Sequence, residues 1–226
     1  MSNVDEPAFR SWGLNLPRED DPVSERALEL RRLAQATRRV IDELMATNAS
    51  LTTITDVANL VENVADKLAE QPHGRDDQHV GESSLSGDPR GFLEFSPLVG
   101  RANPLAPPLV LRLVDGRIVG EAVFGLAYEG PPGHVHGGYI AAAFDEVLGM
   151  VQSTTERPGM TGMLTVRYRS PTPLHRPVRF SGEVINVEGR KIFTRATLHD
   201  DETLCAEAEG LFISIDFARF EALRSR

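Results

Sequence analysis

Within Pro131–Met150 (PPGHVHGGYIAAAFDEVLGM), a run that is apolar nearly all the way round carries two adjacent acids, Asp145 and Glu146. A carboxylate in such a setting can act as a nucleophile or as a general base. Nine positions before Asp145 stands His136, followed directly by Gly137 and Gly138. Glycines let another group approach the backbone closely, and the first turn of a helix presents unpaired N–H groups at its positive dipole end. An acid with an amide donor is equipment for attacking an activated carbonyl, the amides of Gly137 and Gly138 stabilising the oxyanion that develops.

The elements that must position these groups follow from periodicity. From Tyr139 to Val151 apolar residues recur at a period of 3.6, as in a helix enclosed on most sides. Gly138, Ala141, Ala142, Asp145 and Gly149 fall on one face. Small residues beside a carboxylate leave space for a ligand, which makes Gly138, Ala141 and Ala142 substrate-binding candidates. Ile140, Phe144, Val147, Leu148 and Val151 are expected to pack against a sheet. Glu146 points about 100° away from Asp145 and is expected to be solvated or paired, an arginine being one partner. Gly138 and Asp145 lie roughly 10 Å apart along the axis, too far for both to serve one carbonyl about 3 Å from each. Two antiparallel copies of the helix across a twofold axis would resolve this, so a homodimer is expected.

Strand patterns surround this helix. Leu109–Val114 and Arg117–Phe124 are separated by Asp115-Gly116, the turn dipeptide of a two-residue hairpin. Met160–Arg169, Val178–Val187, Lys191–His199 and Leu204–Ile215 follow, joined by short breaks that imply antiparallel neighbours. Upstream, Ser24 reads as the N-cap of a helix running to about Met45, and a second helical pattern runs through Val57, Leu60, Val61, Val64 and Leu68. These two are expected to form an amphipathic hairpin, whose Arg31, Arg32, Arg38 and Arg39 face an acyl carrier, a nucleotide phosphate or solvent. About Gln71–Gly91 the chain is polar and rich in turn formers, as a linker or mobile loop would be. The expected division is therefore 1–90, a helical extension and linker, and 91–226, an α+β domain of about six antiparallel strands wrapped around one long central helix.

Composition narrows the possibilities. A net charge of −9 argues against a nucleic-acid partner. No segment reaches the roughly 20 apolar residues of a membrane span, and the acidic amino terminus does not resemble a signal peptide. With the single cysteine, Cys205, these features suggest a cytoplasmic protein in a reducing compartment. His134 and His136 lack a third converging ligand, so no metal is expected, and nothing calls for a cofactor.

The arrangement resembles the hotdog fold. His136-Gly137-Gly138 with Asp145, followed by MTGMLTVRYRSPTPL, VEGRKIF and AEAEGLFISID, is similar to acyl-CoA thioesterases of the phenylacetate-pathway type, most of all the group containing the carboxyl-terminal modulator protein. The resemblance covers about Val110–Asp216 and leaves the amino-terminal helices outside the shared core. It implies hydrolysis of medium- and long-chain fatty acyl-CoA in lipid metabolism. It assigns the nucleophile or base to Asp145, the carbonyl-polarising amide to Gly137 and an assisting hydroxyl to Thr161, with His136 steadying the loop. Many such proteins carry Asn or Gln shortly before the HGG, where this chain has Tyr128-Glu129-Gly130. Arg167, Arg169, Arg176 and Arg190 either hold coenzyme A phosphates or balance surface acids, and Arg190 is the substrate-binding candidate among them. A homodimer, or a dimer of dimers, that turns over acyl-CoA is the leading reading. A non-catalytic acyl-CoA sensor on the same fold is the alternative.

Overall fold

A computed structural model describes residues 24–72, 94–107, 109–155, 157 and 159–214. The segment from about Gln71 to Gly91, expected as a linker or loop, therefore lies almost wholly outside the described residues, as does Ile215 at the end of the last expected strand. Helix α1 (Glu25–Ala46) starts where Ser24 Oγ accepts the Ala27 N–H at 3.2 Å, and α2 (Leu51–Ala69) starts where Ser50 Oγ accepts that of Thr53 at 3.2 Å. Each hydroxyl satisfies an amide that the first helical turn leaves without a partner.

The two helices do not close into a packed hairpin. Thr47 and Ser50 are both extended, which carries α2 away from α1, and no residue of α2 is buried. Its apolar stripe of Ile54, Val57, Val61, Val64 and Leu68 is 46% to 51% exposed. Helix α1 is instead tied to the segment just before the sheet. Arg31 makes a two-pronged ion pair with Glu94, both contacts 2.7 Å, and Arg38 Nη2 donates to the carbonyls of Gly100, Arg101 and Asn103. Arg32 pairs with Glu29 on its own helix. Three of the four arginines considered for an anionic partner are thus engaged within the chain.

Six strands form one antiparallel sheet: β1 (Val110–Val114), β2 (Arg117–Val123), β3 (Gly159–Tyr168), β4 (Pro177–Glu188), β5 (Lys191–Asp200) and β6 (Thr203–Ser214), in the order β1-β2-β4-β5-β6-β3. Asp115 and Gly116 have φ of 49° and 77°, as a two-residue hairpin whose twist matches its strands requires. Helix α3 (Gly137–Ser153) links β2 to β3 and lies on one face of the sheet. The fold is the α+β hotdog arrangement expected. Ile140, Phe144, Val147, Leu148 and Val151 of α3 are all buried against Ile118, Val178, Phe180, Ile192, Leu198, Ala206 and Phe212 of the strands. At Gly182 an added Cβ would stand 2.7 Å from Val151, so glycine there lets the helix sit close to β4.

The other face of the sheet carries a ladder of alternating charge, with Arg117 and Arg195 flanking Glu183, Arg167 on Glu209 and Arg169 on Glu207. Such half-exposed pairs each contribute little to stability, but they keep that face hydrated. The strand that follows α3 is carried to the edge of the sheet, where β3 pairs with β6 alone. One side of β3 therefore remains available beside α3.

Candidate functional site

The amino terminus of α3 is fixed by its own sequence. His136 is the N-cap, and its Nδ1 accepts the Gly138 N–H at 3.0 Å, which places the proton of a neutral ring on Nε2. The N–H groups of His134, Val135, His136 and Tyr139 bond to the carbonyls of Pro131, Thr172, Tyr128 and His136 respectively, at 2.8 to 3.0 Å. In this run only the Gly137 N–H has no acceptor among the described residues. The sequence suggested two amide donors. The structure reserves the Gly138 amide for the cap and leaves one, because a capping side chain takes the second or third amide of its helix.

Tyr128, Glu129 and Gly130, just before the HGG, each support this loop. The Tyr128 carbonyl receives the His136 N–H, and Glu129 Oε1 accepts the Gly133 N–H at 2.6 Å across the Pro131-Pro132 turn. Gly130 lies so close to the cap that an added Cβ would be 2.7 Å from His136 Cα. The Tyr128 ring meets Tyr139 edge-on at 4.9 Å, and burial pushes its phenol up to about 12. On the other side of the loop Tyr168, from β3, donates its hydroxyl to the Gly137 carbonyl at 2.7 Å. A Cβ on Gly137 would come within 3.3 Å of that ring. Sequence reasoning notes Glu129 without a role for it and does not single out Tyr168. An acid ahead of Pro-Pro-Gly is a local signal for the first, whereas nothing near Tyr168 in the chain announces the second.

Two turns further along α3, Asp145 Oδ1 accepts a hydrogen bond from Thr161 Oγ1 at 2.9 Å. Thr161 is aligned with Phe212 of β6, and the register slips between Thr161 and Met163, a bulge that re-aims the side chains beside it. Ala141, Ala142 and Asp145 are half-buried, and a Cβ on Gly149 would touch nothing within 4 Å. The small-residue face is therefore open. The structure brings Asp145 and Thr161 together at one end of it, and His136, Gly137 and Gly138 at the other.

Glu146 departs from expectation. It is half-buried and has no arginine partner; Ser96 Oγ donates to its Oε1 at 3.3 Å, and Ser96 is itself buried. Burial, opposed by the Ser96 bond and reinforced by the neighbouring Asp145 charge, raises its carboxyl from 4.5 to about 7. Arg190 lies in the β4–β5 turn, its Nε donating to the Ser214 carbonyl at 2.9 Å. Arg167 and Arg169 balance Glu209 and Glu207, and Arg176 binds Asp200 and Asp201. No three His, Cys, Asp or Glu side chains converge on a metal position among the described residues. Nor is any described helix long and apolar enough to cross a membrane.

Residues 132–207, which contain both ends of the site, match the Thioesterase superfamily model. The crystal structure of a thioesterase superfamily protein superposes with a TM-score of 0.73 at 36% identity, over 81% of this chain and 94% of that one. The chain belongs to the thioesterase superfamily. A share of 81% exceeds what residues 91–226 make up, so this thioesterase-superfamily relative also has counterparts for part of the amino-terminal segment. The resemblance read from sequence had left that segment outside. Within the superfamily, the chain is 38% identical over 105 residues to mouse (Mus musculus) acyl-coenzyme A thioesterase THEM4, a match covering 46% of this chain and 45% of that protein. It is 43% identical over 89 residues to the Xenopus laevis protein of the same name, covering 38% and 40%. The chain thus spans less than half the length of these curated relatives in its matches.

Proposed function

We propose that this protein is an acyl-CoA thioesterase, working as a homodimer on medium- to long-chain fatty acyl-CoA. The observation that carries the proposal is that one helix bears both a hydroxyl-supported carboxylate, Asp145, and at its start an amide, that of Gly137, with no acceptor among the described residues. The relatives named acyl-coenzyme A thioesterases support the substrate class.

In the reaction, the Gly137 N–H polarises the thioester carbonyl and then holds the oxyanion. Asp145 takes a proton from a water whose oxygen bonds to the carbonyl carbon, the C–S bond breaks, and that proton passes to the departing thiolate. Direct attack by Asp145, giving a mixed anhydride that water then opens, uses the same groups. Thr161 orients the carboxylate in either case, while His136 fixes the loop. Ala141 and Ala142 shape the acyl channel, the Gly138 backbone borders it, and Arg190 meets a coenzyme A phosphate.

Gly137 and Asp145 are eight residues apart in α3, about 12 Å along its axis. One reacting carbonyl cannot touch both, so the donor comes from the partner copy, whose α3 runs antiparallel. Release of free thiol from acyl-CoA esters of increasing length, with wild type beside Asp145→Asn, tests the proposal. Hydrolysis that falls by roughly 10²- to 10⁴-fold in the variant, with acyl-CoA still bound, is expected for loss of a general base. Undiminished turnover would remove Asp145 from the reaction. Binding without turnover by the wild type would establish the sensor alternative instead.

A further inference from the structure

We infer that Tyr168 is a positioning residue for the oxyanion donor, the hydroxyl that aims the Gly137 N–H at the thioester carbonyl. The inference rests on the thioesterase reading of the site and adds to it a residue that the acid and the HGG do not include.

Two adjoining peptide groups form the entrance to α3. The one between Gly137 and Gly138 is held from both sides: its N–H by His136 Nδ1 at 3.0 Å, its carbonyl by Tyr168 Oη at 2.7 Å. The one between His136 and Gly137 carries the N–H that has no acceptor among the described residues, and its carbonyl receives the Tyr139 N–H at 3.0 Å. A donor contributes to catalysis only if it already points where charge develops, since reorienting it during the reaction would cost what it contributes. Glycine has the greatest backbone freedom of any residue, so two in succession would allow this peptide to rock unless something outside the helix restrained it. The histidine cap restrains it from within the loop. Tyr168 restrains it from β3, 31 residues away in sequence.

Packing supports the same assignment. The Tyr168 ring is the nearest neighbour of Gly137 on its side-chain side, 3.3 Å from where a Cβ would be, so the ring lies flush against the loop. Yet Tyr168 is 53% exposed and lies outside the buried core, so its contribution to global stability is small. The strand that carries it also carries Thr161, the partner of Asp145. One strand, β3, thus reaches both ends of α3: a hydroxyl supports the acid at one end and another holds the donor loop at the other.

Tyr168→Phe separates these roles, because it deletes the hydroxyl and leaves the ring packed on Gly137. Steady-state hydrolysis of the best-accepted acyl-CoA should show kcat reduced about tenfold and KM changed less than about twofold, as expected when an interaction matters chiefly in the transition state. Two uncleavable probes test the mechanism without turnover: S-(2-oxododecyl)-CoA, which presents a carbonyl, and S-dodecyl-CoA, which has none. The variant should bind the ketone about fivefold more weakly than wild type and the carbonyl-free analogue equally well, with an unchanged melting temperature. Equal weakening of both analogues, or unchanged kcat, would overturn the positioning role while leaving the thioesterase reading intact. A wild type that neither hydrolyses any ester nor prefers the ketone would overturn both.

Discussion

Glu146 gives the most quantitative test of the structure. Ser96 Oγ accepts the N–H groups of Leu98 and Val99, so its own proton is available for Glu146 Oε1. That bond by itself favours the ionised carboxylate, but burial outweighs it and raises the carboxyl from its ordinary 4.5 to about 7. A raised acid is favoured in its neutral form by folding. Its contribution to stability is therefore complete below pH 4.5, is lost progressively as pH climbs towards 7, and above that remains as a constant deficit. At 1.36 kcal/mol per pH unit, the interval between those two values amounts to roughly 3 kcal/mol. Glu146→Gln keeps an oxygen for Ser96 but cannot ionise. It should match wild type below about pH 4.5 and be more stable by roughly 2 to 3 kcal/mol at pH 8, somewhat under the full figure because part of the side chain meets water. For a chain of this size that is about 5 to 10 °C in melting temperature. Thermal and urea unfolding from pH 4.5 to 8.5 would display the divergence directly. Curves that stay parallel across the range, or a variant less stable at pH 8, would refute the argument that partial burial holds the Glu146 carboxyl raised.

Two further tests address the site. Gly137→Pro removes the free N–H at a first helical position where proline is tolerated, and mixing it with Asp145→Asn subunits should restore about a quarter of wild-type thiol release, because random pairing gives half mixed dimers with one intact site each. No recovery on mixing would place both groups in one chain. Gly130→Ala would force a Cβ to within 2.7 Å of backbone at His136. It should cost roughly 1 to 3 kcal/mol in urea unfolding, and a neutral result would mean the loop is less tightly built than described.

Much of the fold was legible because its signals are local. The 3.6-residue period of α3 chose which face is buried, and every residue expected to meet the sheet does so. Asp115-Gly116 specified its hairpin because both positions need positive φ, and Ser24 specified a helix start through one hydroxyl. The pairing of Asp145 with an open, small-residue face was equally readable, since it depends only on spacing along one helix.

What tertiary structure decided involves partners remote in sequence. Ser96, 50 residues from Glu146, supplies the hydroxyl that an acid expected in water or paired with an arginine meets instead. Glu94, 63 residues from Arg31, drew α1 onto the domain, while an extended connector left α2 bare where a hairpin was expected. The strand order set β3 at the sheet edge, and so brought Thr161 to Asp145 and Tyr168 to Gly137. Periodicity and turn chemistry act over a few residues and can be read from the chain. Which distant polar groups meet depends on how the layers stack, and that is settled by burying the whole apolar surface at once.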